Sequence, residues 1–172
     1  MSLEIKVQAS KDYLRVDKYD NNRSSRISES IASKKILQRD AELIAELIAN
    51  SITNNIHKGK RYDTGGPVAA LKKSTRDRKG HSRVFLDTGK LFTDVIVKKY
   101  GRGFIVKLSD RKYPSKSKKP GASSKTKTVA EIGAYLQEGN ANMKARPFFG
   151  INKKNLNTIV RKVLGTTRSL SR

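Results

Sequence analysis

Cysteine is missing from all 172 residues, which excludes disulfides and thiolate metal sites and leaves an oxidising compartment without support. Acidic residues are scarce: 15 Asp and Glu stand against 38 Lys and Arg. Glu131 and Glu138, which share one expected helix, are not spaced three or four apart, so they do not converge on a metal; Glu131 reads as a cap and Glu138 as a solvated residue. The only histidines are His57 and His81, and neither has a carboxylate pair or a serine at useful spacing. Metal and general-base roles are therefore not expected, and His57 suits the carboxyl end of a helix. No run approaches the ~20 apolar residues of a membrane span, and no basic region followed by an apolar block opens the chain, so a signal peptide is not expected. Aromatics make up only 6% of the chain, and Tyr62, Phe85, Tyr100 and Tyr113 are the only ones near its basic stretches. Base stacking for sequence-specific readout is poorly supported by so few rings.

What the chain has in excess is positive charge, a formal +23. Self-repulsion of that size implies an anionic partner, whether nucleic acid, an acidic protein surface or an anionic membrane. The length suits one domain with a real core. A hydrophobic fraction of 35% beside 31% charged residues points to a modest core with long polar excursions.

Residues 84–108, VFLDTGKLFTDVIVKKYGRGFIVKL, organise the rest. An apolar run, Val84-Phe85-Leu86, precedes Asp87 and Thr88, either of which can cap a short helix. Val95 and Val97, then Phe104, Val106 and Leu108 after Tyr100-Gly101-Arg102-Gly103, alternate as the two strands of a hairpin. Asp87-Thr88-Gly89-Lys90 lacks the spacing of a phosphate loop, and Gly101-Arg102-Gly103 is too short for a dinucleotide fingerprint. A strand-to-helix turn and a hairpin turn are the better readings. No catalytic constellation or cofactor site accompanies the stretch, which points to a binding or assembly protein rather than an enzyme.

Around it, Leu3, Ile5 and Val7 alternate with charged residues as a first strand. Residues 10–33 read as a polar arm with one further strand over 13–16. Residues 35–57 carry Leu37, Ala41, Ile44, Ile48, Ile52 and Ile56 at steps of three or four, with Leu47 widening the stripe: a long amphipathic helix with Gly59 past its end. Residues 59–83 form a basic loop in which 68–71 is expected to make a short helical turn or docking segment. A second basic excursion, 109–127, resists core formation. Thr128 and Glu131 fit a capping box for a short helix ending near Gly139. A final helix runs from about Asn152, with Leu156, Ile159, Val160, Val163 and Leu164 on one face and Gly165 past its end. The expected fold is α+β: a small antiparallel sheet with a long amphipathic helix packed on it, a short helix, a C-terminal helix and long basic loops. It is a single domain, 1–172, with a strand and arm over 1–34, a core over 35–165 and a tail over 166–172.

Segments from 65 to 151 resemble, in order, the phage virion morphogenesis family, the tail-completion and neck proteins of Mu-like and related tailed phages. They are Gly66-Pro67 through Leu71-Lys72-Lys73-Ser74-Thr75 to Lys79, then Leu86-Asp87-Thr88-Gly89-Lys90-Leu91 and a hairpin, then Tyr135-Leu136-Gln137-Glu138-Gly139, and finally Lys144-Ala145-Arg146-Pro147-Phe148-Phe149-Gly150. Lys144 stands where the family usually has proline. The resemblance covers about half the chain and implies an α+β fold without enzymatic activity. It implies a homo-oligomeric ring at the head–tail junction of a virion assembled in the host cytoplasm, hexameric in preference to dodecameric, touching neighbouring connector and tail proteins and packaged DNA but no membrane. Closed rings need heterologous interfaces, in which different faces of one subunit complement each other. Partner-binding residues are expected in two groups. Arg146, Pro147, Phe148 and Phe149 would form a docking segment, with the proline fixing the backbone, a phenylalanine filling a pocket and the arginine meeting a carboxylate; the competing reading puts both rings in the core. Lys72, Lys73 and Arg76 of the first loop, with Lys116, Lys118 and Lys119 of the second, would supply a positive surface. The rival reading is a basic nucleic-acid-binding protein, ribosome- or nucleoid-associated, since lysine and arginine clusters neutralise backbone phosphates and release counterions.

Overall fold

The computed structural model describes residues 3–9, 14–20, 23–28, 38–86, 89–113 and 127–169. Strands β1 (Leu3–Ala9), β2 (Leu14–Asp20), β3 (Arg23–Ser28), β4 (Val95–Tyr100) and β5 (Gly103–Leu108) form one sheet in the order β3-β2-β1-β5-β4. Every neighbouring pair is antiparallel. Side chains alternate across a strand, so the register Val7↔Val16, Val7↔Phe104 and Ile5↔Val106 lines up one apolar face. Leu3, Ile5, Val7, Leu14, Val16, Phe104, Val106 and Leu108 on that face are all buried.

Helix α1 (Gln38–Lys58) lies on the apolar face and packs against β1, β4 and β5. Its stripe, Ala41, Ile44, Ala45, Ile48, Ala49, Ile52 and Ile56, is buried as the periodicity requires. Each isoleucine contributes about 1.5–3 kcal/mol of burial. The chain leaves α1 through Gly59 at φ 59°. Helix α5 (Lys153–Ser169) packs on α1 through Leu156, Val160 and Val163, and α4 (Val129–Glu138) sits near β5 and β1. The capping box of α4 is present: Thr128 Oγ1 accepts from the Glu131 N–H at 3.2 Å, and the Glu131 carboxylate accepts from the Thr128 N–H at 2.8 Å. That backbone hydrogen bond holds the Glu131 carboxyl below the usual range. The architecture is therefore α+β, with helices gathered on one face of an antiparallel sheet.

Several expectations need correction. The arm over 10–33 supplies two strands to the sheet, β2 and β3, where the sequence suggested one short strand over 13–16. Lys18 breaks the alternation on the apolar face and Asp17 lies on the opposite one; both are buried and both compensated. Asp17 pairs with Arg15 and Arg26, and Lys18 donates to Asp20 at 3.0 Å and to the Tyr62 hydroxyl at 3.1 Å. Residues 68–71 are not helical; the short helix is α2 (Lys73–Lys79), one step further on. The carbonyls of Ala69 and Ala70 accept from the Arg146 side chain. Gly165 does not end the last helix, which continues to Ser169. It lies on an exposed face, where a helical glycine costs only about 1 kcal/mol. The hairpin β4–β5 is as expected but tighter, with Tyr100 paired to Gly103 and only Gly101 and Arg102 in the turn. The caps expected from Asp87 or Thr88 lie outside the described residues; Gly89 immediately precedes α3 (Lys90–Thr93).

Candidate functional site

Phe148 and Phe149 are fully buried within the subunit. The expectation that one of them fills a partner's pocket is corrected: both rings complete the core. Phe148 packs on Phe85 with ring centres 4.8 Å apart, and Phe149 meets it edge-on at 6.5 Å. Their backbone carries polar groups into the interior, and buried polar groups must be paired. Gln137, on α4 and buried, does this. Its side-chain oxygen accepts from the N–H groups of Phe148 and Phe149, both at 3.0 Å, and its Nε2 donates to the Phe149 carbonyl at 3.1 Å. No motif singled out Gln137; its only sequence signal is a polar residue on the apolar side of a short helix.

Within the subunit, Arg146 meets backbone carbonyls and no carboxylate among the described residues. Its Nε donates to the Ala69 carbonyl at 2.8 Å and its Nη2 to the Ala70 carbonyl at 3.2 Å. The residue is 5% exposed, and burial lowers the pKa of its guanidinium. Pro147 is half-buried, and its carbonyl accepts from the Tyr62 N–H at 3.0 Å. Tyr62 covers Gly150 so closely that a Cβ there would lie 2.6 Å from the ring, so only glycine fits beneath it. Residues 144–150 therefore form an internal strap that ties the first basic loop to α4 and the core.

Around this strap the chain leaves a cavity of about 650 Å³. Its floor is apolar, made by Val84, Phe85, Leu91, Ile132 and Leu136, with Tyr113 at one side. Its polar lining includes Lys72, Arg78, Lys79, Lys144 and Arg146, and no Asp or Glu lines it among the described residues. Lys79 reaches back to the Leu86 carbonyl at 3.1 Å, while Lys72, Arg78 and Lys144 are exposed and form no ion pair with a described residue. Lys73 and Arg76 are exposed on α2 but do not line the cavity. Lys116, Lys118 and Lys119 lie outside the described residues. The start of the second basic loop does reach the site through Tyr113, because the hairpin brings its two outer ends together: the Ser109 N–H donates to the Asp94 carbonyl at 2.8 Å. Residues from five separate stretches thus meet at one place: 69–79, then Val84, Phe85 and Leu91, then Tyr113, α4 and 142–146.

Among the described residues, the remaining titratable groups do not gather into a cluster. His57 stacks on Phe92 with ring centres 4.3 Å apart at the end of α1. No group of three His, Asp or Glu side chains suited to a metal occurs among the described residues. No helix among them is long and apolar enough to cross a membrane. On the outer face of the sheet the Lys6 ammonium lies 4.3 Å from the centre of the Tyr19 ring and 4.7 Å from that of Tyr100.

The chain matches no family model, and no curated protein or solved structure is detectably similar to it.

Proposed function

We infer that the protein is a structural component of a tailed-phage virion, a neck or tail-completion subunit that joins head to tail as a ring, and that it is not an enzyme. The observation that carries this reading is the convergence just described. Residues from each stretch on which the resemblance rests, among them Lys72, Leu91, Leu136 and Arg146, are far apart in sequence yet line one cavity. A long helix across a small sheet makes a compact wedge, and the net charge of +23 calls for anionic neighbours. In a ring, each subunit would repeat the basic surface and make a continuous belt, gripping acidic surfaces of adjacent rings in preference to DNA, because a strongly positive lumen would retard a passing genome.

The test uses Lys→Gln changes at Lys116, Lys118 and Lys119 in head–tail joining reactions followed by electron microscopy. Loss of joining with DNA retention intact supports the protein contact. Joined particles that leak DNA or fail to eject it overturn that contact. Native mass spectrometry and negative-stain images of the purified chain should show closed rings at assembly concentrations; a monomer throughout, inert toward heads and tails, overturns the neck assignment.

The nucleic-acid reading is favoured by one feature, the exposed Tyr100 and its neighbour Lys6 on the outer sheet face. Rings beside cations suit single-strand stacking. Tight, salt-sensitive binding of oligonucleotides that is lost in Tyr100→Ala, without ring formation, would move the conclusion to that reading.

A further inference from the structure

The cavity beside Arg146 combines two properties, an apolar floor and walls whose charged side chains among the described residues are all cationic. Val84, Leu91, Ile132 and Leu136 offer apolar surface that gains by leaving water. Arg146 is buried in the wall with its charge balanced by two carbonyl oxygens and by no carboxylate among the described residues. A buried cation without a counter-charge is costly, and an incoming anion would relieve it. Lys72, Arg78 and Lys144 stand at the rim without ion-pair partners among those residues.

We propose that this groove is a docking site for a short acidic–apolar segment of another protein, whose leucine- or phenylalanine-like side chains enter the floor while its Asp and Glu residues meet Arg146 and the rim cations. The inference goes beyond the head–tail reading and stands without it, because the groove belongs to the single subunit.

Other occupants fit less well. Nucleic acid would set phosphates over an apolar floor whose aromatic lining, among the described residues, is Phe85 and Tyr113, few rings for its bases to stack on. Residues 114–126, PSKSKKPGASSKT, follow Tyr113 directly but carry four lysines and no large apolar side chain, so they match neither the floor nor the rim. A second copy brings another +23 to a cationic site. Several of its carboxylates are also engaged: Asp17, Asp20, Asp63, Asp94 and Asp110 are in internal ion pairs and Glu131 caps α4.

The experiment measures fluorescence anisotropy of the full chain with a panel of short labelled peptides that mix Glu or Asp with Leu or Phe in varied order. Matched controls replace the apolar residues by Ser, or the acidic ones by Lys, and a labelled oligothymidylate is run beside them. The mixed peptides should bind about tenfold more tightly than either control, and Lys72→Glu with Lys144→Glu should cost about tenfold again, as expected for complementary charges at a rim. Both positions are exposed, so thermal unfolding of this variant should match wild type, and Lys98→Glu on the far sheet face should leave binding unchanged. Binding that follows negative charge regardless of the apolar residues, binding by no member of the panel, or a Lys144-dependent preference for the oligonucleotide would each overturn the proposal. Ring formation and head–tail joining are separate readouts, so failure here leaves those standing and their failure leaves the groove standing.

Discussion

Replacing Gln137 by leucine keeps the approximate volume of the side chain and removes every hydrogen bond it makes. The Phe148 and Phe149 N–H groups, each 3.0 Å from the Gln137 oxygen, lose their acceptor, and the Phe149 carbonyl loses its donor at 3.1 Å. All these groups are interior, between α4 and the fully buried phenylalanine rings. A buried polar group without a partner costs about 1–3 kcal/mol, so three of them, allowing for relaxation, cost roughly 3–6 kcal/mol. That is a large fraction of the 5–15 kcal/mol typical of a domain. With a urea slope of roughly 2 kcal/mol per molar, the unfolding midpoint should fall by about 2 M. Hydrogen exchange provides a local readout, since the Phe148 and Phe149 amides should lose protection before those of α1. The exposed neighbour Glu138→Ala serves as control and should change stability by less than about 0.5 kcal/mol. A loss below about 1 kcal/mol in Gln137→Leu, with an unchanged slope, would show that water or the backbone satisfies these groups and that Gln137 is not the clip.

Other outcomes follow from the same contacts. Ile48→Asp, like Ile44→Asp, sets an unpaired charge on the fully buried stripe of α1 and should abolish folding; circular dichroism of soluble protein at wild-type yield would contradict it. Phe148→Ala should cost about 3–5 kcal/mol by chemical denaturation, as expected for a truncated core aromatic. Arg146→Ala should instead release residues 69–72 and show itself as faster limited proteolysis within the first basic loop. The folded-state pKa of Glu131 is lowered, first of all by its backbone hydrogen bond to Thr128. A depressed carboxylate pKa contributes stability that is complete above the unfolded-state value and is lost as pH falls through the folded one. Glu131→Gln should therefore flatten the acid limb of stability against pH without altering its alkaline limb, as thermal melts across that range would show.

What the sequence determined by itself is the set of elements whose signal is local. The α1 stripe repeats with the helical period, the β4–β5 hairpin alternates on both sides of Gly101, and Thr128 and Glu131 cap each other within one turn; each pattern is complete within a few neighbouring residues. Tertiary structure decided the features whose partners are distant. Lys18 interrupts the apolar face of β2 and Asp17 is buried on the opposite one; Tyr62 and Arg26, brought in by other segments, join the local partners Asp20 and Arg15 in making that burial tolerable. The same holds for the strap over 144–150. Its rings, arginine and proline suggest docking as readily as core, and the choice is made by Gln137 receiving the backbone and by Ala69 and Ala70 receiving the guanidinium across 77 and 76 residues of chain. The cavity has the same origin, since its apolar floor and cationic rim come from stretches that only the fold sets side by side. Periodicity records which face of an element is buried, whereas the pairing of a buried charge or amide depends on long-range placement that no local pattern encodes.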